Sequence, residues 1–260
     1  MDLPLPAAPT DPQRQALADR RRFRRAALAA AGFVALLWWI ALVQQVAGTP
    51  LRGLLLRPGE FWGLIGIVFA PLLHGSLQHL VSNTLPLLIL GSLALATLPR
   101  ATACALPLIW VGSGIGAWLL GQPGTAHLGA SGLAHGLMLF VFVAGVLRRD
   151  RPAVAAGLIA FLLYGGMLLS VLPREAGVSW EYHLSGAACG LLAALLWWRR
   201  DPAPPRKRYS WEDEEDAAPP RDDELEPPAP QDVPVLWERP PPPRGAVILR
   251  FPDRREPDRQ

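Results

Sequence analysis

The chain has 260 residues, 51% of them apolar, with 25 Lys and Arg against 22 Asp and Glu. A net charge of +3 gives no reason to expect nucleic acid as a partner, and two cysteines exclude a disulfide framework. The apolar residues gather in runs too long and too uninterrupted for the core helices of a soluble domain.

Residues 1–25 read as a cytoplasmic N-terminal segment, mostly flexible, with its first dozen residues rich in Pro and Ala. Arg20-Arg21-Arg22-Phe23 faintly resembles a twin-arginine export signal. The apolar run that follows is long, ends in Gln44-Gln45 without a small-residue cleavage pattern, and precedes five more, so no cleaved leader is expected. The six runs, about 26–46, 71–97, 101–120, 129–147, 153–172 and 183–198, each approach the ~20 residues that cross a ~30 Å hydrocarbon core. Unpaired backbone groups are costly in lipid, so the runs are predicted as helices rather than strands. The chain is therefore an all-α membrane protein whose bundle spans residues 26–198 of the lipid bilayer-embedded part.

Fifteen Lys and Arg flank the runs on one side, among them Arg14, Arg100, Arg148 and Arg199, against Arg52, Arg57 and Arg174 on the other. That asymmetry predicts both termini in the cytoplasm, as for a multi-pass protein of a bacterial inner membrane. Residues 199–260 form a Pro-rich charged tail. In its last sixty residues fifteen are Pro and fifteen are Asp or Glu, too little apolar surface to offset chain entropy, so disorder is expected. "RPPPPRG" favours a polyproline II segment that an unknown partner could engage, and "GAVILRF" is a short β-prone run.

All five histidines lie between residues 74 and 183 and none is in the polar tail. His74 and His79 precede or open the second run, with Asn83 one turn on. His127, Ser131 and His135 cluster at the start of the fourth, and His183 opens the sixth. These alternate helices run inward from the non-cytoplasmic side, so their first turns share one depth. His79 and Asn83 are i, i+4, as are Ser131 and His135, and each pair shares a helix face. His183, Gly186 and Gly190 form one stripe; Gly129, Gly132 and Gly136 flank Ser131. Glycine faces let membrane helices approach closely, which would set a serine on one helix opposite a histidine on another. Such a pair supports acyl transfer, the imidazole taking the hydroxyl proton and returning it to the leaving amine. Asn83, His79 and the Ser131 backbone N–H are donors at the depth where an oxyanion would form. Glu181, the one carboxylate near His183, is placed in the loop, so a dyad is predicted rather than a triad.

"HGSLQHLVSN", "GASG" and "HLSGAACG", in that order and on alternate helices, resemble the rhomboid family of intramembrane serine proteases; "VSWEYH" is similar to the loop of many bacterial members. The likeness covers roughly 26–198. It implies a six-transmembrane-helix rhomboid-like bundle with a water-filled cavity open to the outer side. It implies Ser131 as nucleophile, His183 as general base, and His79, Asn83 and backbone N–H groups as the oxyanion hole. His74 matches a frequent family histidine of more structural role. Transmembrane protein substrates, unwound near small or helix-breaking residues, would enter between the second and fifth helices, and no cofactor is required. Two positions depart from the pattern. The family's Trp-Arg pair in the first outer loop is replaced by Ile65-Gly66, with Trp62 followed by Gly63 nearby. His135 stands where the family has Tyr or Phe against the catalytic imidazole; it either stacks on His183 or competes for Ser131.

Three other readings compete. Ser131 would, alone, be read as a helix cap or as a hydroxyl bonded one turn back. The chain would also fit an inactive rhomboid-like protein that binds transmembrane clients. A metal or haem site is disfavoured, because His74 and His79 are i, i+5 and no Cys or carboxylate joins them at ligand spacing. His127 is read as an interfacial residue.

Overall fold

Inside hydrocarbon an apolar run must satisfy its own amides, and a helix does so within one segment. The structure, a computed structural model, describes residues 12–47, 51–174 and 177–202. It has six long helices: α1 (Pro12–Ala47), α2 (Leu77–Thr97), α3 (Pro99–Leu120), α4 (Ser131–Arg148), α5 (Arg151–Tyr164) and α6 (Trp180–Trp197). A tighter 3-10 stretch, Gly165–Val171, prolongs α5. Among the described residues the only β pairing is one antiparallel bridge, Leu56 with His127. Helices α1 to α4, and α5 with its extension, are long and apolar enough to cross a membrane. Helix α6 has 18 residues, but Trp180, Glu181, Tyr182 and His183 in its first turn lower its mean hydropathy. It packs against both α3 and α4, so its polar turn is covered by protein.

Three boundaries differ from the sequence reading. Residues 12–25, expected to be mostly flexible, are the first turns of α1. Arg, Ala and Leu are strong helix formers, so charge there does not interrupt the helix. At 36 residues α1 is about 54 Å long and overshoots a bilayer core, leaving its arginines beyond it; Arg22 Nη2 donates to the Thr97 carbonyl at the end of α2 (2.9 Å). The second run does not start at 71: short apolar helical turns occupy Phe61–Leu72, and α2 begins at Leu77 with Ser76 Oγ accepting the His79 N–H. The bundle also does not stop at 198. Asp201, expected in the tail, is buried, and its two carboxylate oxygens accept the Arg100 and Ala101 N–H groups at the free start of α3 (2.9 Å each). Arg148 clasps the same turn, donating to the Trp198 and Asp201 carbonyls while its Nε meets Asp150 at 2.7 Å. The sequence-predicted flexible residues 1–11 and the tail from 203 onward, with its polyproline and β-prone stretches, lie outside the described residues.

The tightest pairing is α4 with α6. A Cβ on Gly186 would meet the Gly132 backbone, and one on Gly190 the Gly136 backbone; one on Gly132 would strike the Tyr182 ring. On the other face of α6, Ser185 and Cys189 fill the space left by Gly116 and Gly112 of α3. With so little side chain between them, the backbones of α4 and α6 set the distance between whatever their first turns carry.

Candidate active site

Helix α4 starts at Ser131 with Ala130 in the capping position and no side-chain cap. The turn before it needs Gly129, whose φ of +111° lies where side chains are strained. The His79 ring occupies the space a side chain at 129 would take, and the Gly129 N–H donates to the Ala70 carbonyl (2.8 Å). The turn is thus held from outside, and the Ser131 hydroxyl is not consumed in capping.

Ser131 Oγ and His183 Nε2 are 2.8 Å apart. They come from α4 and α6, 52 residues apart in sequence, and meet because Gly132 and Gly186 let the two backbones touch. His183 is buried and Ser131 half-buried. On its other edge His183 Nδ1 faces the Ser170 Oγ at 3.0 Å and the Ser170 carbonyl at 3.1 Å. The imidazole of His135 stacks on that of His183, centroids 4.0 Å apart and planes 13° from parallel. It therefore covers the face of the His183 ring and does not take the Ser131 hydroxyl: its Nδ1 donates to the Ser131 carbonyl one turn back (2.7 Å).

Asn83 is buried, and its amide donates to the His79 carbonyl (3.0 Å), which pins it to its own helix face with a second N–H to offer. His74 meets His79 edge to face at 5.2 Å. Burial, with the His79 ring adding to it, lowers the His74 imidazole to a pKa of about 4, so it is a neutral packing partner of His79. Glu181, expected in the loop, is instead in the first turn of α6 and buried, and it does not orient His183.

The sequence reading missed several contacts. His127 is buried rather than interfacial. It accepts the Ser179 hydroxyl at Nδ1, donates from Nε2 to Thr125 Oγ1 (3.0 Å), and exchanges backbone hydrogen bonds with Leu56. Burial depresses its pKa, partly offset by the nearby Glu181 carboxylate. The loop between α1 and α2, which lacks the expected Trp-Arg pair, is anchored from α3. Trp118 Nε1 donates to the Glu60 carbonyl (3.0 Å) and Trp110 Nε1 to that of Val68 (3.2 Å). Ser170 carried no signal at all, being one hydroxyl in an apolar run. Among the described residues no three His, Cys, Asp or Glu side chains converge on a metal position.

A serine hydroxyl on an imidazole nitrogen, beside helix-terminal N–H groups and a buried amide, has the parts that acyl transfer requires. Comparison with known proteins bears on the same segment. Residues 58–200 match the family model described as a Rhomboid domain. The chain is 44% identical over 171 residues to the uncharacterized protein Rv1337 of Mycobacterium tuberculosis, covering 62% of this chain and 71% of that one. It is 42% identical over 177 residues to the uncharacterized protein ML1171 of Mycobacterium leprae, covering 62% and 67% respectively. The matched segment runs from the α1–α2 loop through the end of α6 and holds both helices of the Ser131–His183 pair, and on that match the chain belongs to the rhomboid family of helical integral membrane proteins.

Proposed function

We propose that the chain is an intramembrane serine endopeptidase that cleaves transmembrane segments near the outer membrane face, with both termini in the cytoplasm. The observation that carries this reading is the 2.8 Å contact between Ser131 Oγ and His183 Nε2 across the glycine-lined α4–α6 interface. Oγ attacks the scissile carbonyl carbon as its proton passes to Nε2. The oxyanion that forms is held by the N–H groups at the start of α4 with His79 and Asn83. Collapse breaks the C–N bond, Nε2 returns the proton to the leaving amine, and an ester on Ser131 remains. Water, deprotonated by His183, then releases the new carboxyl terminus. The arginine asymmetry supports the orientation. The outward-facing Leu158, Leu162 and Leu163 of α5 are consistent with substrate reaching the site sideways from lipid beside that helix.

An inactive client-binding relative would have no use for a serine held on a histidine nitrogen. The test is to incubate the purified protein with a transmembrane substrate and compare the parent with Ser131→Ala and His183→Ala. Cleavage by the parent alone is expected; equal cleavage by all three removes the proposal.

A further inference from the structure

Ser170 lies on the 3-10 stretch that prolongs α5, on neither helix of the Ser131–His183 pair, yet its hydroxyl and carbonyl are what the far edge of His183 meets. The hydrogen positions follow from which atoms can only accept. His135 Nδ1 is 2.7 Å from the Ser131 carbonyl, so Nδ1 carries the proton and Nε2 of the neutral ring is bare. That bare nitrogen faces the Met167 carbonyl at 3.0 Å and Ser170 Oγ at 2.9 Å. A carbonyl has no proton to give, so the Ser170 hydroxyl donates to His135 Nε2. Were it to donate to the Met167 carbonyl at 2.7 Å instead, the His135 lone pair would be left against carbonyl lone pairs. With its proton committed, Ser170 Oγ can only accept from His183 Nδ1, as can the Ser170 carbonyl. His183 Nδ1 therefore holds the ring proton, and Nε2 presents its lone pair to Ser131. The four groups close a circuit: Ser131 hydroxyl to His183, His183 to Ser170, Ser170 to His135, and His135 back to the Ser131 carbonyl. Every donor meets an acceptor, the His183 Nδ1–H shared between the Ser170 hydroxyl and carbonyl oxygens, and no charge is needed.

We propose that Ser170 is the positioning residue of this pair, an uncharged third member that fixes the tautomer and tilt of His183 and, through His135, ties the base to the nucleophile's own turn. The inference rests on the protease reading above. When His183 becomes an imidazolium during attack, its Nδ1–H bond to Ser170 becomes charge-assisted and strengthens, so the contribution falls on the transition state more than on the bound substrate.

The test compares the parent with Ser170→Ala and Ser170→Thr in detergent, measuring kcat and KM on a transmembrane substrate, the rate at which a fluorophosphonate labels Ser131, and Tm. Ser170→Ala, which keeps the carbonyl but loses the hydroxyl, is expected to lower kcat and labelling about tenfold, the margin between a charged and a neutral hydrogen bond, with KM within about twofold. Ser170→Thr retains the hydroxyl and is expected to restore both rates to within about threefold of the parent. The inference is overturned if Ser170→Ala labels and cleaves at the parent's rate, if its loss appears in KM alone, or if Ser170→Thr is as impaired as Ser170→Ala at unchanged Tm. A parent that neither cleaves nor labels would sink the protease reading and this inference together; an active parent with an equally active Ser170→Ala sinks only the latter.

Discussion

Substituting Gly186 by Ala tests whether glycine contact, rather than any polar bond, sets the Ser131–His183 distance. A Cβ on Gly186 would lie 2.7 Å from the Gly132 carbonyl carbon and 2.9 Å from its Cα, and closer still to the carbonyl oxygen. Carbon atoms rest at about 3.5–4.0 Å, so α4 and α6 must part by about 1 Å. The obstructing atoms are backbone on both sides, and no side-chain rotation relieves the clash. Gly186 is three residues from His183 and Gly132 is next to Ser131, so most of that displacement reaches the reacting pair. A separation of 2.8 Å would become about 3.8 Å, beyond hydrogen-bond range. A misplacement of about 1 Å costs on the order of 10²-fold in rate, and forced overpacking about 1–3 kcal/mol in stability. The assay is the rate of fluorophosphonate labelling of Ser131, with helicity followed by circular dichroism to separate displacement from unfolding. Gly32→Ala is the control: nothing lies within 4 Å of the added methyl, so up to about 1 kcal/mol of helix stability is gained with labelling unchanged. Labelling of Gly186→Ala at the parent's rate, with the fold intact, would refute the argument.

Two further outcomes are expected. Asp201→Ala frees two N–H groups at the start of α3, and should cost about 1–2 kcal/mol, read as a lower Tm, while labelling of the distant Ser131 is unchanged below the transition; an unaltered Tm would show the cap to be idle. His74, held neutral at a pKa of about 4 against 6.5 when unfolded, contributes stability that is full above pH 6.5 and lost as pH falls toward 4, because the unfolded chain binds the extra protons; His127, also lowered by burial, acts in the same direction. The His74 part is about 3 kcal/mol at low pH. In thermal unfolding, His74→Phe should therefore retain more of its pH 7.5 stability at pH 5 than the parent does, and parallel losses in the two proteins would remove His74 from the account.

What was legible in the sequence was whatever depended on spacing within one helix. Ser131 and His135 at i, i+4, and Gly186 and Gly190 in a stripe with His183, are local facts, and the packing of two glycine faces follows from them with little freedom left. The contacts that escaped notice join elements whose relation is tertiary. Nothing in "GGMLLSV" marks Ser170 until α5 ends in a tighter turn that swings its hydroxyl against two imidazoles. Asp201 sits among prolines and charges at the head of a tail, and only the arrival of α3 beneath it turns that carboxylate into a cap. The loop anchors Trp110 and Trp118 read as apolar bulk because their donors find carbonyls 42 and 58 residues away. The helical start of α1 was within reach: Arg, Ala and Leu favour helix, and the prolines of residues 1–25 are confined to the first dozen.

The histidine at 135 makes sense once the cost of burying it is counted. An aromatic hydrocarbon ring stacked on His183 asks for nothing at its edges, whereas an imidazole brings two nitrogens into the same buried place, and each unpaired nitrogen would cost on the order of 1–3 kcal/mol. One edge is satisfied by the Ser131 carbonyl one turn back, which takes the His135 Nδ1–H on its second lone pair, and the other by the Ser170 hydroxyl. The price of exchanging a phenyl or phenol for an imidazole is therefore a hydroxyl at the end of α5, and that hydroxyl also accepts from the far side of His183. Replacing His135 by Phe should keep the stack and free Ser170 to donate to the Met167 carbonyl 2.7 Å away, without releasing its hold on His183. The two solutions differ in how the buried edge is satisfied and agree in what they present to Ser131, an imidazole locked at its outer nitrogen and bare at its inner one.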